Sequence, residues 1–287
     1  RMPFTKDNLG GDEALSKVLS EPGGWELVGE GYGATDAACS DAEGNVYFSD
    51  VPNATIWHVP MAGAPEKWLD QGLKFNGLKF GPDGRIYAAA QAQGTMKARI
   101  VAIDPITKVV TDIATDVKPN DLVVSKAGWI YFTDTVAGQV QMIPMTSKNS
   151  ERPQAVANGI SAPNGISFSA NQKFLAISEN RGATVWYYPI HKDGKLGVGE
   201  RYMTMRVPVG AASSGGDGMV VDAEGHFYVT SAAGIQMFDQ TGRMGGVIAP
   251  PNNKGCVSIA FGGADKVWLY VCNSTQVWRR KMLTHGL

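Results

Sequence analysis

Six times along the chain a residue stands at the head of a recurring pattern, and in register these residues are Asp36, Asn76, Asn120, Asn164, Asp217 and Val257. Five of the six carry a carboxylate or a carboxamide. If the pattern is a structural repeat closed around an axis, those five oxygen-bearing side chains converge. Hard oxygen donors of this kind suit Ca²⁺, which takes six to eight oxygens in flexible geometry and fills vacancies with water. A set without imidazole or thiolate favours Ca²⁺, Mg²⁺ or Mn²⁺ over copper, with Zn²⁺ a further alternative. Asp36 and Asp217 would balance a divalent charge. The same residues also have an ordinary reading, because Asn or Asp followed by Gly is a turn or bulge signal. Asn76-Gly77, Asn164-Gly165 and Asp217-Gly218 fit it, whereas Asn120 lacks the Gly.

The elements that must position these residues follow from the repeat. The copies read DAACSDAEGNVYFSD from Asp36, NGLKFGPDGRIYAAA from Asn76, NDLVVSKAGWIYFTD from Asn120 and NGISFSANQKFLAIS from Asn164. A fifth, DGMVVDAEGHFYVTS, begins at Asp217, and a degenerate sixth, VSIAFGGADKVWLYV, at Val257. Successive starts lie 40, 44, 44, 53 and 40 residues apart. Each copy holds two runs of period two joined by a turn, the signature of a β-hairpin. Third runs follow at 55–59, 99–103 and 183–187, and fourth runs at 66–69 and 109–113. Four short strands in a repeat of 40 to 53 residues are the arithmetic of a β-propeller blade. The expected fold is all-β: a six-bladed β-propeller with four-stranded antiparallel blades, forming one domain over 1–287 with 1–20 as an N-terminal extension. Trp25-Glu26-Leu27-Val28 is placed to complete the last blade and remove an exposed edge. A short helix is expected near Asp12–Leu19, with Asp12 and Glu13 suited to its N-terminus. The longest interval contains HKDGKLGVGE from His191, read as an extension of a hairpin or loop over one face.

Composition narrows the function classes. The 287 residues carry 26 basic and 27 acidic side chains, with 44% hydrophobic residues and 35 glycines. A near-neutral chain without a Lys/Arg run lacks the footprint of a nucleic-acid binder. No stretch approaches the roughly 20 apolar residues of a membrane helix. No signal peptide is evident in the chain, which leaves periplasmic, secreted and cytoplasmic locations open. Cys39, Cys256 and Cys272 are odd in number and form no CxxC pair, so they read as small buried hydrophobes. His58, His191, His226 and His285 all fall outside the repeat heads. There is no GxSxG elbow for a serine hydrolase. Ser213-Ser214-Gly215-Gly216 has no following Lys and is not a P-loop. WD40 and kelch signatures are absent.

The repeats resemble the regucalcin/gluconolactonase (senescence marker protein-like) family of six-bladed propellers, which includes relatives acting on organophosphates. The resemblance rests on SDAEGNVYFSD in the first blade, KPNDLVV in the third, APNGISFS in the fourth and GGDGMVVDAEG in the fifth, and runs from about Asp36 to Arg279. It implies one divalent cation on the axis, with ligands falling on Asp36, Asn164 and Asp217 and a further one on Asn120. Asn76 matches a position contacting substrate or metal-bound water. Lys74 stands where some sugar-lactonase relatives hold substrate with an Arg. The family's usual first ligand is Glu, one methylene longer than Asp36; Glu30 lies six residues earlier, but the register favours Asp36. In the sixth blade Cys256-Val257-Ser258 replaces a segment that often carries Thr-Asn.

The activity so implied is metal-dependent hydrolysis of a small cyclic ester such as a sugar lactone. The metal acts as Lewis acid or lowers the pKa of bound water, and Asp217 serves as general base or nucleophile. Rival readings are a phosphotriester hydrolase or sugar isomerase/lyase on the same metal, and a non-catalytic binding propeller, since fold alone does not license an enzyme. The polar axis, Lys74 and the extension near His191 favour a lined pocket over a platform. The expected partner is a small molecule, with neither nucleic acid nor membrane involved and the oligomeric state unread.

Overall fold

The computed structural model describes residues 6–7, 14–20 and 23–287. The first strand, β1 (Trp25–Glu30), belongs to the last blade. Blade 1 follows as β2 (Thr35–Ser40), β3 (Val46–Asp50), β4 (Thr55–Val59) and β5 (Glu66–Asp70). Blade 2 is β6 (Phe75–Phe80), β7 (Ile86–Ala90), β8 (Arg99–Ile103) and β9 (Val110–Thr115). Blade 3 is β10 (Leu122–Val124), β11 (Trp129–Asp134), β12 (Gln139–Pro144) and β13 (Gln154–Asn158). Blade 4 is β14 (Pro163–Phe168), β15 (Phe174–Glu179), β16 (Thr184–Pro189) and β17 (Glu200–Thr204). Blade 5 is β18 (Met219–Val221), β19 (Phe227–Ser231), β20 (Gly234–Phe238) and β21 (Met244–Ile248). Blade 6 is β22 (Cys256–Gly262), β23 (Trp268–Asn273), β24 (Gln276–Lys281) and, outermost, β1.

Every blade is an antiparallel sheet whose strand order follows the chain, apart from β1. The innermost strands β2, β6, β10, β14, β18 and β22 each contact the innermost strands of both neighbouring blades, which closes the ring. Apolar residues fill the spaces between successive blades; one cluster joins Phe75, Leu78 and Ile86 of blade 2 to Cys39, Tyr47 and Ile56 of blade 1. Strands buried on both faces read as continuous apolar or small runs rather than alternating ones, as in Ile86–Ala90, buried at every position. β1 pairs with β24 from Trp25↔Arg280 to Glu30↔Gln276. That pairing covers what would otherwise be an exposed sheet edge.

The short helix expected near Asp12–Leu19 does not form among the described residues. Asp12 and Glu13 lie outside them, and 14–18 are turns leading to a bridge between Leu19 and Met282. Leu15, Val18 and Leu19 instead bury themselves against blades 5 and 6. Tertiary burial overrides the local preference there. No helix among the described residues is long and apolar enough to cross a membrane.

Candidate active site

In all six innermost strands the chain enters at one end of the central channel, here called the upper mouth, and runs toward the other. The repeat heads therefore stand together at that upper mouth. Asp36, Asn76 and Asn164 lie near the starts of β2, β6 and β14, while Asn120 and Asp217 lie just before β10 and β18. Bulges hold this geometry. The register shifts between Asp36 and Cys39, between Phe75 and Gly77, between Pro163 and Ile166, and between Cys256 and Ser258. A bulge bends the strand and re-aims a side chain. In blade 1 it requires Ala37 at a left-handed φ of 58°, a conformation that costs an L-residue energy and gathers at functional sites.

The glycines after the repeat heads serve close approach between blades. A Cβ on Gly77 would sit 2.9 Å from Asp121 Oδ1, one on Gly165 would fall onto the Asp217 carbonyl oxygen, and one on Gly218 would sit 2.8 Å from the Val257 carbonyl oxygen. Hydroxyls at the upper ends of the second strands tie the ring further. Thr133 Oγ1 donates to the Asn164 carbonyl at 2.7 Å, and Ser178 Oγ to the Asp217 carbonyl at 2.9 Å. Asp50, in the Ser-Asp dipeptide of blade 1, accepts the N–H groups of Gly33 and Ala34 in the connection from blade 6.

The five polar heads separate by what their oxygens already bind. Asp36 Oδ1 accepts the Ala37 N–H at 2.7 Å, and Asp217 Oδ1 accepts the Gly218 N–H at 3.0 Å. The second carboxyl oxygen of each, and the side-chain amides of Asn120 and Asn164, have no hydrogen-bond partner among the described residues. Asn76 differs, because its Oδ1 accepts a short hydrogen bond from Gln91 Nε2 at the end of β7. That leaves the Asn76 amide nitrogen as a donor without a hydrogen-bond partner among the described residues. Val257 gives the sixth position an apolar side chain, and Ser258 Oγ beside it accepts the Ala38 N–H across the ring closure.

Electrostatics set these carboxyls apart from ordinary ones. Burial raises Asp36 from 3.8 to about 7; the Ala37 N–H and Lys79 pull it down and Asp121 pushes it up. Asp217 is raised well above the usual carboxylate range by burial, and then by Asp36 and Asp121. Asp121 is itself raised by burial. Ionised together, the three acids would put more negative charge into the metal-free ring than its buried surroundings tolerate, so burial favours their protonated forms. Ser49 Oγ, paired across the ladder with Asp36, is buried without a partner. The free oxygens of two carboxylates and two amides, together with that charge excess, fit a hard divalent cation. Among the described residues no group of three or more His, Cys, Asp or Glu is arranged to share an ion. Any cation here rests on the mixed carboxylate–amide set.

Around this set, Lys74 lies in the connection entering β6. Its N–H donates to Gln93 Oε1 at 3.3 Å, its carbonyl accepts the Gln91 N–H at 2.8 Å, and its ammonium makes no ion pair among the described residues. One expectation needs correction. The extension from His191 is a prolonged hairpin between β16 and β17, bridged at Ile190↔Leu196. It lies at the lower mouth, where Tyr131 donates to the Gly194 carbonyl at 2.5 Å, and so does not line the ring. A connection over 205–216 approaches the upper mouth instead, its end held by Ser213 Oγ donating to the Asn180 carbonyl and Asn180 Nδ2 donating to the Gly216 carbonyl. Asp121, Gln91 and Lys79 were not singled out from sequence. Asp121 had a visible signal, since it replaces the Gly found after three other heads. The three cysteines are buried and free, and burial pushes Cys39 and Cys256 up to about 12. Of the histidines, His58 pairs with Glu66 at 3.0 Å and His226 with Asp222 at 2.8 Å, away from the ring.

Comparison with known proteins agrees with this fold. A gluconolactonase of Zymomonas mobilis is 27% identical over 232 residues, 74% of this chain and 64% of that enzyme, so the chain spans slightly less than two thirds of its relative. A gluconolactonase structure from Xanthomonas campestris superposes with a TM-score of 0.78 at 18% identity, covering 98% of this chain and 96% of that one. A calcium-binding protein, regucalcin, from Agrobacterium tumefaciens superposes with a TM-score of 0.74 at 17% identity, covering 91% and 94%. At those identities the superpositions speak for the fold. The model of the SMP-30/Gluconolactonase/LRE-like region matches residues 30–275, and the chain belongs to that family.

Proposed function

We propose that this chain is a lactonase that opens a small cyclic ester, a sugar lactone, at the upper mouth of the propeller. In this reading Asp36, Asn120, Asn164 and Asp217 hold one divalent cation, Ca²⁺. The observation that carries it is that each of these four residues, at one mouth, keeps a side-chain oxygen with no hydrogen-bond partner among the described residues. The lactonase relative and the calcium-binding neighbour support the same chemistry.

When bound, the cation supplies charge stabilisation for the oxyanion and lowers the pKa of water. The chain's own residues do the rest. The Lys74 ammonium and the Asn76 amide N–H orient the lactone's polar substituents from blade 2. One carboxylate oxygen of Asp217 would hold the ion while the other takes a proton from the attacking water and returns it to the ring oxygen as the acyl C–O bond breaks, yielding the open hydroxy acid. Val257 leaves one side of the mouth apolar, where the sugar's less polar face can lie.

The test measures bound metal and aldonolactone hydrolysis on the same preparations of wild type and Asp217→Ala. We expect one divalent ion per wild-type chain, with ion and turnover both lost in the variant; turnover should fall by at least about 10²-fold, the usual scale for losing a general base. Wild-type protein that takes up no divalent ion, or that hydrolyses lactone equally well in EDTA, would overturn the metal-dependent reading. An ion retained without turnover of lactone would move the function to a binding role or another reaction.

A further inference from the structure

We propose that Lys79 sets the charge of the axial site, so that the site is matched to a divalent rather than a trivalent cation. This inference rests on the reading that the upper mouth holds a cation. Lys79 lies on β6 two residues beyond Gly77, and the ladder with β7 is regular between them, Gly77↔Ala89 to Lys79↔Tyr87. Residues i and i+2 share a face of a strand. The face that Gly77 presents meets Asp121, so Lys79 points the same way, toward blade 3 and one step further down the channel. There it lines a cavity of about 250 Å³ with Cys39, Val123, Val124 and Phe168. Its ammonium has no hydrogen bond or ion pair among the described residues. Apart from Lys79, the side chains lining the cavity are apolar or neutral, and the ammonium's charge pulls down the buried Asp36 and Asp121 carboxyls above it.

The charge arithmetic follows. Fully ionised, as a bound cation would favour, Asp36, Asp121 and Asp217 bring −3 and Lys79 brings +1, leaving −2 for the cation to neutralise. Without Lys79 the same pocket would present −3 to the ion. The ammonium is a fixed positive charge that the approaching cation must meet, in a region of lower dielectric than water, where like charges interact strongly.

The alternative is that the lysine stem merely packs in the channel and its head reaches water through the lower mouth. Calorimetric titration of metal-stripped wild type, Lys79→Met and Lys79→Arg with CaCl₂ and TbCl₃ separates the two. Coulomb energy scales with ion charge, so if Lys79→Met tightens Ca²⁺ by about 10-fold it should tighten Tb³⁺ by about 30-fold, widening the preference for the trivalent ion about threefold. Lys79→Arg should keep the wild-type ratio. Equal changes for both ions, or weakening of both in a variant that still melts cooperatively, would overturn the proposal. If wild type binds neither ion, the cation site itself falls, and melting in EDTA then decides the charge role alone. A lower Tm in Lys79→Met but not in Lys79→Arg would support it, and equal Tm values would refute it.

Discussion

Asn76 and Asn120 are the same residue type at equivalent places in successive blades, yet their amides are committed differently. Gln91 donates to Asn76 and fixes which way its amide faces, while Asn120 keeps its side-chain oxygen free. The difference could not be read from the repeat register, because Gln91 comes from another strand. Gln91→Leu should therefore raise KM for a lactone about tenfold, the cost of one net hydrogen bond. It should leave the affinity for Ca²⁺ unchanged; steady-state kinetics and calorimetry on the same variant check both. Asp121 shows the reverse case, a residue whose departure from the repeat was visible. Its effect, a third carboxyl raising Asp36 and Asp217, appears only when blades 1, 3 and 5 face one another.

At the scale of elements, period-two runs located most strands well. β4 and β8 coincide with runs read from sequence at 55–59 and 99–103. The glycines after the heads read as turn or bulge formers; Gly77 and Gly165 do sit at bulges, and they are spacers between blades as well. That function depends on the approach of a strand some 50 residues away, which no local pattern records. Gly165→Ala tests it, since the added methyl meets the Asp217 backbone. Moving the start of β18 outward should cost about 1–3 kcal/mol, as overpacking usually does. It should also displace Asp217, so the variant should lose ion binding by more than its lowered Tm explains. The hairpin from His191 makes the complementary point. Its length was plain in the sequence, but the mouth it occupies follows from strand direction, and it falls on the side away from the ring.

For the whole molecule, six repeats of four strands were sufficient to specify a closed ring, including the return of β1 to the last blade. The energetic consequence of closing it around three acids was not legible, because burial of the carboxyls exists only in the assembled channel. Asp36 is raised in the folded state, so the metal-free fold favours its protonated form. Its contribution is fully present below the unfolded value of 3.8 and is lost as pH rises through about 7. Melting in EDTA should therefore show Tm falling between about pH 4 and 7, with saturating Ca²⁺ removing most of that slope. A slope unaffected by Ca²⁺ would separate the acids from the ion. The closing pair also imposes an order in time. Trp25 is made early and its partner Arg280 about 250 residues later. Pairings so distant in sequence are slow to form. During synthesis blades 1 to 5 can stack as they emerge, but the two ends of the ring meet only when β24 has left the ribosome. Until then β1 lacks its partner and the outward faces of blades 1 and 5 stay open to other chains, so the growing protein is at its most aggregation-prone just before β24 emerges.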